Sequence, residues 1–240
     1  MEPLPASGVS SLIGTPRPET PELVFDAVVL AGGRASRLGG FPKPTLRFGG
    51  ATLLEHALGA VDQARAVAVV GPETSAVVVQ PPPDDDGRLR WTLESPRFAG
   101  PVAALAAGLA ALRQDPAGRA PWLALLAADL PRAREALAPL VAAAAAEPGV
   151  DVVLAEDDGG RAQPLLALYR RAPLERILAE LDDDGGLADR PLRHLVARLT
   201  VLPLRLPPGL ADDVDTWPAA ERWGIRRPEG PGSVDPTGGA

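Results

Sequence analysis

Short runs of consecutive apolar residues alternate along this chain with longer segments whose apolar residues recur at helical spacing. Runs that are apolar at every position, such as Trp122–Ala127, are typical of strands buried on both faces. This alternation predicts βαβ units, and hence an α/β fold with a mostly parallel sheet in a Rossmann-like, three-layer α/β/α arrangement. The predicted strands are Phe25–Ala31, Val67–Val70, Ala76–Val79, Leu89–Leu93, Trp122–Ala127, Val152–Ala155, Pro164–Tyr169 and Val201–Leu206. The predicted helices are Thr52–Ala64, Pro101–Leu112, Arg132–Ala146, Pro173–Leu181, Pro191–Leu199 and Trp217–Trp223.

The two ends of the chain differ in composition from the region between them. Residues 1–22 are rich in Pro, Ser, Thr, Glu and Gly without any period, and residues 226–240 are similar. Such segments bury too little apolar surface to offset the entropy of ordering them. We therefore expect two disordered tails that flank a single domain over residues 23–225.

Composition and charge exclude several classes of function. The absence of cysteine rules out disulfides and thiolate chemistry, and two histidines argue against a multi-histidine metal site. The net charge of −7 disfavours general nucleic-acid binding, which needs a basic surface. No apolar run approaches the roughly 18–20 residues of a membrane span, and no basic segment precedes an apolar one as in a secretory signal. We expect a cytoplasmic protein with neither a membrane nor a nucleic acid as partner.

Residues that directly follow the predicted strands are the first candidates for chemistry, because ligands of open α/β sheets bind at the carboxyl ends of the strands. Gly32 and Gly33 follow the first strand, Glu94 follows Leu89–Leu93, and Asp129 follows Trp122–Ala127. Three more carboxylates come a few residues after the last strand, at Asp212, Asp213 and Asp215.

The segment after the first strand, LAGGRASRLGGFPK from Leu30 to Lys43, has the features of a phosphate-binding loop. Its glycines allow backbone N–H groups to approach a nucleotide closely. Arg34, Arg37 and Lys43 supply cations, of which arginine suits bidentate phosphate contacts and lysine a point charge. The segment is neither a Walker loop nor a dinucleotide fingerprint, so a glycine-rich hairpin with solvated basic residues is the alternative.

Two carboxylates are candidates both for a metal site and for helix capping. Asp129 ends a buried strand, which suits a ligand of Mg²⁺ beside nucleotide phosphates, or it caps the helix predicted from Arg132. Asp215 precedes Thr216 and Pro218, so it is either a second ligand or a helix N-cap. Other charged and polar side chains are predicted to lack a catalytic function: Arg170 and Arg171 as solvated residues, His56 and His194 as packing or surface residues.

The loop from Leu30 to Lys43 resembles the signature loop of nucleotidyltransferases that transfer a nucleoside monophosphate to a phosphorylated acceptor. Within that superfamily, the region Phe25–Trp223 is similar to molybdenum cofactor guanylyltransferases. Four further segments support the resemblance: ESPRFAGPVAAL at 94–105, AADLP at 127–131, QPL at 163–165 and DVDTWP at 213–218.

The resemblance implies a nucleotidyltransferase domain that transfers GMP from GTP to molybdopterin with Mg²⁺ and releases pyrophosphate. It also implies a monomer that makes transient contacts with molybdoenzymes or their chaperones. Glu94 or Ser95 stands where the family has an acidic residue that binds the base. The implied catalytic residues are Arg37, Lys43 and Asp129; the nucleotide-binding residues Leu30, Ala31, Gly32, Gly33, Lys43, Glu94, Gly100 and Asp129; the metal ligands Asp129 and Asp215; and the acceptor-binding residues Arg161 and Gln163.

The sequence departs from the family pattern at two places. Pro42 stands where the family has an aspartate before the lysine, and Asp213-Val214-Asp215-Thr216 stands for Asn-x-Asn-Thr. Both variants occur in related cytidylyltransferases, although LAGG favours guanine over the LAAG of those relatives. Two alternatives stay open: a related cytidylyl- or other NTP transferase with a different acceptor, and an inert nucleotide-binding protein that delivers the cofactor.

Overall fold

The computed structural model describes residues 23–33, 35–72, 87–113 and 119–227, which form nine strands and six α-helices. Single 3₁₀ turns at Ser36–Leu38 and Lys43–Thr45 shape the glycine-rich loop. The strands are β1 Phe25–Leu30, β2 Arg47–Phe48, β3 Ala51–Thr52, β4 Val67–Val70, β5 Leu89–Thr92, β6 Trp122–Ala127, β7 Val152–Glu156, β8 Ala162–Arg170 and β9 Val201–Arg205. The helices are α1 Leu53–Ala60, α2 Pro101–Leu112, α3 Ala133–Ala146, α4 Arg171–Asp183, α5 Leu192–Val196 and α6 Trp217–Arg222.

Seven of the described strands form one sheet in the order β5-β4-β1-β6-β8-β7-β9, and β2 and β3 form a separate short hairpin. The seven strands run parallel except β8, which is antiparallel to both β6 and β7. The predicted mostly parallel α/β sheet is thereby confirmed. The predicted strand Ala76–Val79 lies outside the described residues, and the two-residue strands of the hairpin are too short to show a pattern in the sequence.

Helices cover both faces of the sheet, which explains why the strands are apolar at consecutive positions. Along β1, Ala27 and Val29 pack in the layer that contains α1 and α3, whereas Val28 packs in the layer with α2, α4 and α5. Burial of each of the two valine side chains stabilises the fold by about 1.5–3 kcal/mol. The sheet and its two helical layers are therefore the predicted three-layer arrangement.

Helix α2 lies unusually close to the sheet because of a glycine at its centre. A Cβ atom at Gly108 would lie 2.7 Å from Val28 Cγ1 and 2.9 Å from Val28 Cγ2, closer than any side chain tolerates. The missing Cβ lets α2 pack directly on β1 and β4. This contact places the first turn of α2 beside the carboxyl ends of the two strands.

Helix α1 starts where the sequence predicts but ends earlier. The Thr52 hydroxyl accepts a hydrogen bond from Glu55 N, and the Glu55 carboxylate accepts one from Thr52 N at 2.6 Å, which forms a capping box. The helix ends at Ala60 instead of the predicted Ala64, because the chain turns at 61–63. Val61 and Ala64 are both buried, so the apolar spacing continues across this turn. The pattern alone therefore overestimated the length of helix α1.

The expectation that Arg171 is solvated is wrong, and Arg170 is half-buried. Arg171 is 5% exposed and its guanidinium pairs with the carboxylate of Asp26, which is 1% exposed. Arg171 Nε also donates to the Ala120 carbonyl at 2.8 Å. The Arg170 guanidinium lies 4.4 Å from the centre of the Trp122 ring. The antiparallel direction of β8 causes this arrangement, because it brings the end of β8 to the edge where β1 begins.

The predicted tails fall almost wholly outside the described residues. Residues 1–22 and 228–240 are not described, so the prediction of disorder there stays a prediction. Of the predicted C-terminal tail, Arg226 and Arg227 are described, and the Arg227 guanidinium lies 4.8 Å from the centre of the Trp217 ring. Among the described helices, none combines the length and the apolarity that a bilayer crossing requires.

Candidate functional site

A cleft of about 540 Å³ opens at the carboxyl ends of β1 and β6. The chain places β4 on one side of β1 and β6 on the other, so this is the point where the strand order reverses and where α/β sheets bind ligands. A smaller cavity of about 300 Å³ adjoins the cleft under the glycine-rich loop, and Gly32, Gly33, Lys43 and Asp215 line both.

Charged side chains from three distant segments meet at this edge of the sheet. Lys43 Nζ lies 3.0 Å from Asp129 Oδ2 and also pairs with Asp215 Oδ1, 172 residues away in sequence. Arg37 donates to the other oxygen of Asp215 at 3.1 Å. Asp213 completes the cluster, since oxygen atoms of Asp129, Asp213 and Asp215 lie within 4.8 Å of one another. The structure thus brings together the loop cations and the carboxylates that the sequence singled out separately.

A backbone hydrogen bond and a buried valine hold the carboxylates in place. Val214 N donates to the Asp129 carbonyl at 3.0 Å, which fastens the 213–215 segment to the end of β6. Val214 is fully buried beside Leu38 and Leu46 of the glycine-rich loop region. The residues on either side of Val214 therefore turn away from this core, and both line the cleft.

Neither carboxylate caps a helix, so the capping interpretations of Asp129 and Asp215 are wrong. Helix α3 begins after Arg132, and no side chain accepts a hydrogen bond from its first turn. Helix α6 is capped by the Thr216 hydroxyl, which accepts from Ala219 N at 3.3 Å. Both aspartates are left with the cations of the loop as their partners.

Burial and mutual repulsion shift the ionisation of this cluster. Burial raises the pKa of Asp129, although the neighbouring Lys43 opposes the shift. Burial, together with Asp129 and Asp215, also raises the pKa of Asp213. For Lys43, burial lowers the pKa but the two carboxylates outweigh it, so the pKa lies above its ordinary value. Three carboxylates thus share two close cations, Lys43 and the exposed Arg37, which leaves the cluster anionic.

The donor set fits a divalent cation. Carboxylate oxygens are the ligands that Mg²⁺ and similar hard cations prefer. Asp129 Oδ1 is buried and accepts no hydrogen bond within the described residues, which is costly for an acceptor-only group. The spare oxygen and the spacing of the cluster are what a metal ligand set requires.

The side of the cleft next to β4 and α2 has the features of a nucleotide site. Gly33 at φ +136° and Gly100 at φ +90° adopt backbone conformations that favour glycine, and both line the cleft. Gly100 directly precedes α2, whose first backbone N–H groups have no partner within the helix and favour anions. Leu30 contributes an apolar wall of the cleft, and Ala31 lines the adjoining cavity. Arg34 lies outside the described residues.

The structure distinguishes between Glu94 and Ser95, the two candidates for the base-contacting acidic position. Glu94 lines the cleft, and its Oε1 accepts a hydrogen bond from Phe98 N at 2.9 Å, whereas Ser95 is exposed and does not line it. Of the two candidates for the base-contacting acidic position, Glu94 is therefore the one at the site.

The side of the cleft next to β8 contains Arg161 and Gln163. Because β8 is antiparallel to β6, its first residues lie at the same edge as Asp129, which lies in the turn after β6. Gln163 Nε2 donates to Asp157 Oδ2 at 3.1 Å, and Arg161 is exposed.

Sequence reasoning missed Phe98 as a cleft residue. Its side chain is 45% exposed although large and apolar, it lines the cleft, and its φ of +63° is unusual for a bulky residue. No periodicity marks this residue, because it lies in an irregular loop. The only available signal was its place inside the segment that resembles the family.

Comparisons with known proteins agree with this geometry. The MobA-like NTP transferase domain matches residues 27–201. A molybdenum cofactor guanylyltransferase from Bordetella petrii is 30% identical over 64% of this chain and 75% of that protein. One from Aliivibrio salmonicida is 29% identical over 68% of this chain and 75% of that protein. Rv0371c of Mycobacterium tuberculosis, solved in complex with manganese, has a TM-score of 0.58 at 22% identity and covers 83% of this chain and 97% of that one.

The structural likeness shows the fold, and the matched domain spans the glycine-rich loop, Asp129 and the start of β8 in one stretch. The chain therefore belongs to the MobA-like NTP transferase family and is a nucleotidyltransferase.

Proposed function

We propose that this protein transfers GMP from GTP to the phosphate of molybdopterin and releases pyrophosphate. The observation that carries the proposal is the convergence of Lys43, Asp129 and Asp215 beside the exposed glycines of the first loop. The names of the relatives support the acceptor, and the LAGG form of the loop supports the base. The reaction needs no covalent enzyme intermediate, because the acceptor phosphate is already ionised.

Asp129 and Asp215 are proposed to hold Mg²⁺, with Asp213 next to them. When bound, the ion neutralises charge on the nucleotide phosphates, which contributes several kcal/mol to transfer reactions of this kind. The buried, unpartnered Oδ1 of Asp129 supports this assignment, and the manganese complex of Rv0371c, a protein of the same fold, is consistent with it.

The basic and glycine residues of the loop are proposed to hold the triphosphate. Backbone N–H groups at Gly32 and Gly33 approach the phosphates, and Lys43 and Arg37 supply positive charge. The acceptor phosphate oxygen attacks the α-phosphorus, the bond from that phosphorus to its bridging oxygen breaks, and pyrophosphate leaves with the electron pair. The contribution of these residues is positioning and electrostatic stabilisation of the charge that develops.

The two sides of the cleft are proposed to bind the two substrates. Leu30, Ala31, Glu94 and Gly100 bind the guanosine part, with the Glu94 carboxylate accepting hydrogen bonds from the N–H groups of guanine. Arg161 and Gln163 bind molybdopterin, where the exposed guanidinium of Arg161 suits an anionic acceptor. The hydrogen bond to Asp157 fixes the orientation of the Gln163 amide.

The main alternative is a cytidylyltransferase, because Asp213 and Asp215 stand where the guanylyl family has asparagines. Equilibrium binding of non-hydrolysable GTP, CTP and ATP analogues with Mg²⁺ separates the two. Tightest binding of the GTP analogue is expected. Equal or tighter binding of the CTP analogue would move the protein to the cytidylyl branch.

A further inference from the structure

Lys43 is the single lysine of this protein, and the other 23 basic residues are all arginine. An ammonium group is a compact point charge with three donors, whereas a guanidinium is planar and its donors lie in a fixed fork. A compact cation is the form that fits between carboxylates arriving from different directions. The one lysine thus lies between carboxylates, where a compact ammonium fits and a planar guanidinium does not.

The Lys43 ammonium bridges two carboxylates that the fold brings together from distant segments of the sequence. Nζ lies 3.0 Å from Asp129 Oδ2 and also pairs with Asp215 Oδ1. The side chains of Lys43 and Asp129 are 22% and 16% exposed, so this half of the bridge is partly shielded from water, whereas Asp215 is 37% exposed.

The space that the ammonium fills is the space that a metal would need. Oxygens of Asp129, Asp213 and Asp215 lie within 4.8 Å of one another, a separation that a divalent ion spans with bonds of about 2.0–2.6 Å. Two cations cannot both occupy the centre of one carboxylate cluster, because their repulsion adds to the loss of ligands for each.

We propose that Lys43 holds the metal position of the Asp129–Asp215 site while the site is empty and leaves it for the triphosphate when nucleotide and metal bind. The ammonium keeps the two carboxylates at the spacing of a ligand pair and offsets their repulsion. Its transfer to the phosphates follows from the proposed function, whereas its occupation of the metal position does not depend on that function.

The exchange makes metal and nucleotide binding cooperative. A metal that arrives alone has to displace the ammonium from both carboxylates, which weakens its binding. A triphosphate offers the ammonium a new anionic partner, so the metal binds more tightly in its presence. By linkage, the metal strengthens nucleotide binding by the same factor.

The first test measures the affinity for Mn²⁺ without nucleotide, from the electron paramagnetic resonance signal of the free ion. We expect Lys43→Met to bind Mn²⁺ at least about tenfold more tightly than the wild type, which corresponds to ~1.4 kcal/mol. Arg37→Met is the matched control, because in the described part of the chain Arg37 pairs with Asp215 but not with Asp129, and its side chain is 72% exposed. We expect it to change the affinity by less than about threefold, as an exposed ion pair does. A Lys43→Met protein that binds Mn²⁺ no more tightly than the wild type would overturn the proposal.

The second test uses the wild-type chain, so it does not depend on the folding of a variant. An amine-acylating reagent modifies a single side chain here, at Lys43, and the α-amino group serves as the internal reference. Saturating Mn²⁺ should raise the acylation rate of Lys43 severalfold, and Mn²⁺ with a non-hydrolysable GTP analogue should lower it again. An unchanged rate under saturating Mn²⁺ contradicts occupation of the metal position. A rate that stays high with the nucleotide analogue contradicts the movement of Lys43 to the triphosphate, and with it the function proposed for Lys43. Such a result does not contradict the occupation of the metal position by Lys43 in the empty site.

Discussion

The hydroxyl of Thr216, and not the neighbouring carboxylate of Asp215, caps helix α6. Because Thr216 caps the helix, both oxygens of Asp215 are available to the cations of the glycine-rich loop. Lys43 donates to one oxygen and Arg37 donates to the other. Two adjacent polar residues that compete for the same function in the sequence therefore have separate functions in the fold.

Substitutions at these two positions should separate stability from metal binding. Thr216→Ala should lower the free energy of unfolding by about 1 kcal/mol, the usual value of a lost N-cap, and leave the Mn²⁺ affinity unchanged. Asp215→Asn should lower the Mn²⁺ affinity and leave the free energy of unfolding unchanged, because it removes the charge of a metal ligand but no helix cap. Urea unfolding and Mn²⁺ titration of both variants check this. If Asp215→Asn destabilises the fold as much as Thr216→Ala does, the carboxylate is structural.

Asp129→Asn should abolish most turnover while the fold survives. The substitution keeps the shape but removes the charge that is proposed to hold the metal, so kcat/KM should fall about 100-fold or more. The free energy of unfolding should change by roughly 1 kcal/mol or less, because Asp129 caps no helix and Lys43 keeps Asp215 as a partner. Asp212→Asn is the matched control, since Asp212 is exposed and does not line the cleft. Normal turnover of Asp129→Asn would move the metal assignment to Asp213 and Asp215.

Gly100→Ala should weaken nucleotide binding through the backbone. At φ +90° and ψ 175°, Gly100 occupies a region that is almost restricted to glycine and costs other residues about 1–3 kcal/mol. Relief of that strain shifts the first turn of α2, so the KM for the nucleotide should rise more than kcat falls. Gly149→Ala serves as the control, because no atom lies within 4 Å of the added Cβ and its φ is not positive. An unchanged KM in Gly100→Ala would show that the turn does not contact the nucleotide.

Arg171→Met should destabilise the protein without touching the cleft. Among the described residues, Arg65 at 3.3 Å then remains as the charged partner of the buried Asp26 carboxylate, so we expect a loss of about 3 kcal/mol. Below the lowered melting temperature, the KM values should be those of the wild type, because this ion pair lies at the opposite edge of the sheet from Asp129. Denaturant unfolding measures the loss. Arg176→Met, which removes an exposed ion pair with Glu180, should cost less than about 0.5 kcal/mol.

The capping box of α1 should give the stability a pH-dependent part that Glu55→Gln removes. The backbone N–H of Thr52 lowers the pKa of Glu55 below its ordinary 4.5, so the stabilisation is complete above 4.5 and is lost as the pH falls through the lowered pKa. Glutamine keeps the hydrogen bond but does not titrate. Urea unfolding at neutral and at acidic pH should therefore show a smaller loss in Glu55→Gln than in the wild type. Equal losses would mean that the carboxylate contributes nothing through its charge.

The sequence predicted local structure well because local patterns determine it. The bounds of β6 at Trp122–Ala127 and of α2 at Pro101–Leu112 match the prediction residue for residue, and the glycine-rich loop lies where it was expected. Contacts between segments that are far apart in the sequence were not predicted. The pairing of β8 with β6, which buries Arg171 at one edge of the sheet and brings Gln163 to the other, leaves no trace in the apolar pattern.

The bridge between Lys43 and Asp215 escaped prediction for the same reason. It joins residues that are 172 positions apart, and the burial of Val214 and its backbone hydrogen bond to Asp129 bring them together. The order of residues in the sequence predicted that a lysine and an aspartate follow strands. It did not predict that the two side chains form a hydrogen bond.

The most direct test of the account is the mass of the product formed from the two substrates. Purified protein is incubated with Mg²⁺, molybdopterin and each nucleoside triphosphate in turn, and the pterin fraction is analysed by mass spectrometry. With GTP, the account predicts a species whose mass equals the sum of both substrates less pyrophosphate, and its near absence with Asp129→Asn. A dinucleotide product that forms with CTP but not with GTP, or no dinucleotide product with any nucleotide, would contradict it.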